Sequence, residues 1–210
     1  MDAVSGLTRE IPRRDEIRAL PLIGTDGSGG ATALNDRGQI VGISGDCYKA
    51  VGATSARHAV LWEDGIPTEI RNPHGDAAPY WNTPMMINEH GEVVGFAGVP
   101  NDPAGEYTLA FRWNKKDGWE WVPLLPGEVS GTASSINNRG VIVGYSNDAH
   151  GNLHPWVRKD GVTWNLNDLI EPGSGLTGPI LLVFDINDRG EISGTTVTGQ
   201  AFVASPVWRH

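Results

Sequence analysis

Two histidines and one aspartate are the residues of this 210-residue chain best suited to proton transfer. His58 and His154 each begin an apolar run typical of a strand, and Asp76 lies in a long polar segment. Imidazole and carboxylate groups together can act as general base and general acid. We therefore predict His58, His154 and Asp76 as catalytic residues. A structural role is the alternative, because both histidines occupy one repeat position and can bond neighbouring backbone groups.

Aromatic side chains accompany these residues. Tyr80-Trp81 lies in the same segment as Asp76, where an aromatic pair can stack on a sugar ring or enclose an apolar ligand. A loop that packs on itself is the alternative. The predicted ligand-binding residues are Tyr48, His74, Tyr80, Trp81, Tyr107 and His150.

Motifs for cofactor or metal chemistry are missing from the sequence. It contains neither a phosphate-cradling glycine motif with its lysine nor a Gly-x-Ser-x-Gly nucleophile elbow, and its histidines are not spaced as a zinc pair. The stretch 101–106 and the stretch 147–152 offer oxygen ligands but do not fit the calcium loop. Cys47 reads as a small packing residue rather than a nucleophile. We expect neither a cofactor nor a bound metal.

The elements that must position these residues come from an internal repeat. Its four copies begin at Leu34, Ile87, Ile136 and Ile186, at intervals of 53, 49 and 50 residues, and each reads apolar-Asn-x-x-Gly. A period near fifty is typical of propellers and solenoids. Asn favours left-handed turns and Gly supplies a positive φ, so Asn-x-x-Gly predicts a hairpin between two strands.

A second hairpin follows in each complete repeat, with Asp64-Gly65, Asp117-Gly118 and Asp160-Gly161 as its turns. Each repeat is thus predicted to be a four-stranded antiparallel sheet, the blade of a β-propeller. Trp62, Trp113 and Trp156 are predicted to pack between blades. We predict one all-β domain over residues 1–210, with blades at about 31–72, 84–125, 132–170 and 181–204.

The last repeat is one strand short. We predict that residues 16–23 supply this strand and close a four-bladed ring, which would remove an unpaired sheet edge. Two chains sharing eight blades are the alternative, so the protein is expected to be a monomer or a homodimer. The short hairpin turns would then lie on one face of the ring, and the connections that vary between blades on the other. A site is expected on the variable face, because loops there can change without disturbing the core.

The net charge and the cysteine content limit which binding partners and which cellular compartment are expected. The formal net charge is −9, which disfavours binding to nucleic acid or to an anionic membrane. The first twenty residues contain four acidic side chains and no apolar stretch of signal-peptide length, and the chain has a single cysteine. We expect a cytoplasmic protein, or a secreted one if the sequence is a mature fragment.

Asn35 to Ser44, followed by His58-Ala59-Val60-Leu61-Trp62, resembles the bacterial HAF repeat family. The likeness recurs in register from about 31 to 203, although Leu109 and Gln200 replace the histidine in the second and fourth copies. It implies a repeat fold and supplies no catalytic residues. The family is commonly labelled extracellular, which differs from the expectation of a cytoplasmic protein.

Three functions agree with these patterns. The first is binding of a small organic or carbohydrate ligand on the variable face. The second is a cofactor-independent isomerase, cyclase or lyase that uses the histidines and Asp76 in the same pocket. The third is a platform for protein interactions, which rests on analogy between folds.

Overall fold

The computed structural model describes residues 17–45, 58–72, 82–99 and 107–207. Within these ranges the chain is all-β, with four antiparallel sheets and one short 3₁₀ turn at Leu166–Leu169. The strands, in chain order, are β1 Gly29–Leu34, β2 Ile40–Ser44, β3 His58–Glu63, β4 Ile66–Ile70, β5 Asn82–Ile87, β6 Val93–Gly98, β7 Thr108–Asn114, β8 Gly118–Trp121, β9 Glu128–Ile136, β10 Ile142–Asp148, β11 Leu153–Lys159, β12 Val162–Asn165, β13 Ile180–Ile186, β14 Ile192–Thr196 and β15 Ala201–Ala204.

Each sheet pairs its strands in sequence order. Sheet 1 is β1 to β4, sheet 2 is β5 to β8, sheet 3 is β9 to β12, and sheet 4 is β13 to β15. The predicted four-stranded meander is confirmed in the first three sheets, and sheet 4 has three strands in the described part of the chain. The first strand of sheets 2, 3 and 4 packs against the sheet before it, which is a propeller-like arrangement.

The Asn-x-x-Gly hairpins form as predicted. In the first turn, Asn35 Oδ1 accepts hydrogen bonds from the backbone N–H groups of Arg37 (3.2 Å) and Gln39 (3.0 Å). Gly38 has φ +75° and its N–H donates to the Asn35 carbonyl. The asparagine side chain therefore closes the turn and the glycine provides the left-handed conformation that a side chain would strain.

Four further glycines explain how each repeat bends. The first strand of every sheet carries a β-bulge, and the residue paired beside it on the next strand is always Gly. A Cβ at any of these positions would lie 2.1 Å from a backbone oxygen of the bulged strand. Only glycine allows the two backbones to approach this closely. These glycines are Gly42, Gly95, Gly144 and Gly194.

The hydrophobic core lies between successive sheets. Three buried clusters join sheet 1 to sheet 2, sheet 2 to sheet 3, and sheet 3 to sheet 4. Trp62, Trp113 and Trp156 are all buried. Trp113 packs between sheets 1 and 2 and Trp156 between sheets 2 and 3, as predicted, whereas Trp62 belongs to none of the three clusters. Between the described residues, no comparable packing joins sheet 4 to sheet 1.

The predicted closing strand requires a correction. The described part of that segment, residues 17–23, forms no strand and lies against sheet 1 rather than sheet 4. The Pro21 carbonyl accepts a hydrogen bond from Trp62 Nε1 at 2.7 Å, and the Leu22 side chain covers Gly29. The Pro21 to Ile23 stretch is thus a link into β1. Glu16, the first residue of the predicted strand, lies outside the described residues.

No helix among the described residues has the length and apolarity needed to cross a membrane.

Candidate histidine–carboxylate site

The antiparallel order of the strands gives every sheet two distinct edges. The Asn-x-x-Gly turns form one, which we call the turn edge. The other, called the loop edge, holds the start of the first strand, the end of the second and the start of the third. His58 begins β3 and His154 is the second residue of β11, so both lie at the loop edge, as the repeat predicted.

Five of the predicted site residues lie outside the described part of the chain. They are Tyr48, His74, Asp76, Tyr80 and Trp81. The site can therefore be built only around His58 and His154, with Tyr107 and His150 placed relative to them.

In sheet 1, His58 is held by an aspartate that precedes β1. His58 Nδ1 lies 2.8 Å from Asp26 Oδ2, and His58 Nε2 lies 3.8 Å from Glu69 Oε1. Asp26 Oδ2 also accepts a hydrogen bond from Ser44 Oγ at 2.6 Å, while Ser44 Oγ accepts one from the Ile23 backbone at 2.9 Å. These bonds connect the link before β1 with the facing ends of β2 and β3.

Sheet 3 repeats this arrangement with a longer acid. His154 Nδ1 lies 2.7 Å from Glu128 Oε1, and the Glu128 side chain is only 5% exposed. Ser146, at the position of Ser44, is fully buried. Neither Ser146 Oγ nor Glu128 Oε2 has a hydrogen-bond partner among the described residues. Buried polar atoms are seldom left without one, which makes this the more unusual of the two pairs.

The carboxylates and serines are the residues that sequence reasoning missed. Asp26 and Glu128 each stand three residues before a glycine at matching places in the repeat, Gly29 and Gly131. Sheets 2 and 4 cannot form the same pair, because Leu109 and Gln200 replace the histidine. A search for acidic residues that recur only in the repeats with histidine would have found both partners.

The other two described candidates are more exposed. His150 belongs to a turn in which its N–H donates to Asp148 Oδ1 at 2.8 Å, and its ring is largely in solvent. Hydrogen bonds from the side chain and the backbone of Asn152 lower the pKa of Asp148 to about 2. Tyr107 is a partly exposed residue just before β7. The ion-pair contacts of the two histidine rings are with the carboxylates of Asp26, Glu69 and Glu128.

In each pair Nδ1 faces the carboxylate, and Nε2 is the ring nitrogen left for chemistry, although Glu69 Oε1 lies 3.8 Å from Nε2 of His58. An ionised carboxylate only accepts hydrogen bonds, so Nδ1 carries the hydrogen and Nε2 of a neutral ring carries the lone pair. An imidazole oriented in this way can accept a hydrogen bond from a ligand hydroxyl or take up a proton. Among the described residues, no three His, Cys, Asp or Glu side chains are grouped to hold a metal ion.

Two clefts open between sheets, away from these pairs. One of about 540 Å³ lies between sheets 2 and 3 at the turn edge, beside Arg112, Arg139 and Arg158. The other, of about 960 Å³, lies between sheets 3 and 4 and is walled by apolar side chains such as Trp164, Leu166 and Phe202. Neither cleft is lined by His58 or His154, at whose edge the sequence predicted a pocket.

Comparisons with known proteins assign no family. No protein-family model matches the chain, and no curated protein matches it. Among solved structures, it is similar to the selenomethionine-substituted virginiamycin B lyase from Staphylococcus aureus, at 17% identity with a TM-score of 0.39. The match covers 84% of this chain and 56% of that one, so the chain spans a little over half of its length. A likeness of this size assigns neither fold nor function, and the resemblance to HAF repeat proteins stays a prediction.

Proposed function

We propose that the chain binds a small organic or carbohydrate ligand at the loop edge, through His58 and His154. The observation that carries this proposal is the pair of histidine–carboxylate contacts at equivalent places in sheets 1 and 3. A buried acid fixes each ring, so its free nitrogen is already oriented when a ligand arrives, and little conformational entropy is lost on binding.

The unpartnered atoms of sheet 3 support a hydroxyl-rich ligand. Glu128 Oε2 accepts hydrogen bonds and Ser146 Oγ can donate or accept them. A sugar or polyol offers both functions on neighbouring carbons. The aromatic residues Tyr48, Tyr80 and Trp81, which belong to the connections at this edge, would supply the stacking surface that such a ligand needs.

A thermal-shift screen with sugars, polyols and cyclic metabolites tests the proposal. A ligand at one hundred times its dissociation constant adds about 2.7 kcal/mol to the free energy of unfolding. His58→Gln and His154→Gln should each reduce the shift. His90→Gln is the matched control, because His90 lies in a turn at the opposite edge. A ligand whose shift survives in the double variant H58Q/H154Q binds elsewhere and would contradict the proposal.

An acid–base enzyme is the second candidate, and the His58–Asp26 contact favours it. Asp26 accepts from Nδ1, which leaves Nε2 of the neutral ring as a general base. Such a site would serve an isomerase, cyclase or lyase without a cofactor, with Asp76 as the second acid–base group. Exchange of a ligand carbon-bound proton for deuterium in D₂O, followed by NMR, would report this activity. We expect His58→Gln to abolish exchange while binding is retained; exchange that persists in this variant would exclude His58 as the base.

We also propose how the four sheets are arranged as a whole. The four sheets are blades of one β-propeller of the HAF repeat type, and the regular turns, the recurring bulges and the packing between successive sheets support this. The net charge of −9 argues against nucleic-acid and membrane partners, and the single cysteine supports a cytoplasmic location.

A further inference from the structure

The first strand of the chain exposes an apolar residue that its counterparts bury. Three isoleucines stand just before the turn asparagine of sheets 2, 3 and 4, namely Ile87, Ile136 and Ile186. Each side chain packs against the preceding sheet and is at most 5% exposed to solvent. Leu34 occupies the same position in sheet 1 and is 71% exposed. Sheet 1 therefore presents to solvent the kind of surface that elsewhere packs on another sheet.

Sheet 4 exposes the opposite surface. In sheet 1, Val41 pairs with Leu61, and both are buried against sheet 2. The matching pair in sheet 4 is Ser193 with Val203, and Val203 is 68% exposed. The two ends of the array are thus the two halves of an interface that the chain makes three times within itself.

The turn asparagines show that these halves are complementary in their hydrogen bonds. The amide of Asn35 donates to the Asn88 carbonyl (2.9 Å), that of Asn88 to the Asn137 carbonyl (3.0 Å), and that of Asn137 to the Asn187 carbonyl (2.9 Å). Asn187 is exposed, and its amide donates to Glu191 in its own turn, as Asn35 and Asn88 donate to Gln39 and Glu92, but it makes no bond to another sheet among the described residues. Sheet 4 therefore offers the donor of the next step, and Asn35 in sheet 1 offers the acceptor.

The unpaired edge of sheet 4 adds a third complementary feature. Within the described residues β15 has no neighbour on its outer side, and the cleft of about 960 Å³ lies beside it. In sheet 3, the Pro123 carbonyl accepts a hydrogen bond from Thr163, and Pro123 belongs to the link that follows the outer strand β8. The Pro21 carbonyl also bonds to the sheet that follows it, through Trp62 of the third strand β3 rather than through the fourth strand, so residues 17–20 approach sheet 1 from the side where the outer strand of a preceding sheet would be.

We infer that two copies of the chain associate end to start, with sheet 4 of each copy packing on sheet 1 of the other. Residues 17–20 of one copy, which form no strand in the single chain, then pair with the open edge of β15 in the partner by β-augmentation. A second copy is the occupant because one chain leaves Leu34 and Val203 exposed at the same time. Two copies make both contacts at once and leave neither end free, whereas a single such contact would propagate into open assemblies.

Light scattering coupled to size exclusion tests the inference on the full chain. We expect twice the 22.5 kDa mass of one chain. Leu34→Asp and Val203→Asp should each raise the dimer dissociation constant more than about tenfold. Val162→Asp is the matched control, because Val162 is exposed at the start of β12, away from both ends, and the dimer should persist.

Mixing the two variants distinguishes this contact from a symmetric one. A Leu34→Asp copy keeps an intact sheet 4, and a Val203→Asp copy keeps an intact sheet 1, so the mixture regains one good contact. We expect mixed dimers from two variants that are each monomeric, with unchanged circular dichroism. A wild-type chain that stays monomeric, or a larger assembly insensitive to Leu34→Asp, would overturn the inference. Ligand binding is measured separately, so its failure leaves this result unaffected.

Discussion

The side-chain amide of Asn137 donates a hydrogen bond to the backbone carbonyl of Asn187, 2.9 Å away in the next sheet. The same asparagine accepts hydrogen bonds from Arg139 and Val141 within its own turn, both at 3.0 Å. One side chain thus shapes a hairpin and fastens it to the following one. This double use holds for Asn35, Asn88 and Asn137, whereas Asn187 only shapes its own turn.

We expect Asn137→Ala to reduce the free energy of unfolding by about 1 kcal/mol more than Asn187→Ala. Asn187 accepts the same two backbone bonds within its turn, at 2.9 and 3.0 Å, and its amide donates to the exposed Glu191 rather than to a following sheet. Urea unfolding in a Leu34→Asp background, in which we expect self-association to be weakened, compares the two variants. Equal losses would show that the bond between sheets contributes no more than the exposed bond to Glu191.

Replacement of a bulge glycine should be far more damaging. A Cβ at Gly144 would lie 2.1 Å from the Thr132 carbonyl oxygen and 2.5 Å from the Trp156 ring. Because Trp156 is fully buried, neither group can move freely, and Gly144→Ala should cost about 3 kcal/mol or more. Gly27→Ala is the control, since nothing lies within 4 Å of its Cβ position. A Gly144→Ala protein with the same melting temperature as the wild type would contradict this close approach of the two strands.

Repetition made much of the fold predictable from sequence. Asn-x-x-Gly and Asp-Gly carry their turn geometry in neighbouring residues, so the hairpins and the four-stranded order of sheets 1 to 3 followed from local patterns. The path of residues 17–23 did not, because it depends on contacts such as Pro21 with Trp62, 41 residues apart. A strand that pairs with a distant edge leaves little periodic signal of its own.

The candidate site was likewise only partly predictable from the sequence. His58 and His154 were predicted because they begin strands at a repeated position. Their partners Asp26 and Glu128 are 32 and 26 residues away in links without a motif, and only the folded sheet brings them to the rings. Local patterns could place the histidines but not orient them.

Acid should weaken sheet 2 through Glu92, whose partners Asn88 and Arg112 belong to the same sheet. Burial acts to raise the pKa of Glu92, but hydrogen bonds from Arg112 and Asn88 outweigh it and hold the pKa below its usual range. A carboxyl with a lowered folded pKa stabilises the protein above its unfolded value, about 4.3, and this contribution disappears as the pH falls through the folded value.

The difference in unfolding free energy between wild type and Glu92→Gln should therefore be constant from pH 7 to about 5 and shrink below pH 4. Urea unfolding across this range measures it. Glu120→Gln is the control, because Glu120 bonds the same Arg112 at 2.9 Å but is exposed, where such pairs contribute little. A difference that does not change with pH would exclude Glu92 as a titrating contributor.

The two histidine–carboxylate pairs should respond unequally to loss of the ring. His58→Ala leaves Asp26 with the Ser44 hydroxyl as a donor at 2.6 Å, whereas His154→Ala leaves Glu128 buried without a hydrogen-bond donor among the described residues. A buried carboxylate without a hydrogen bond costs about 1 to 3 kcal/mol, so His154→Ala should be the more destabilising change by that amount at pH 7. Adding Glu128→Gln to His154→Ala should recover part of the loss, because the amide carries no charge. If both histidine variants unfold alike and the double variant recovers nothing, the Glu128 carboxylate is solvated in solution and does not depend on the His154 ring for its stability.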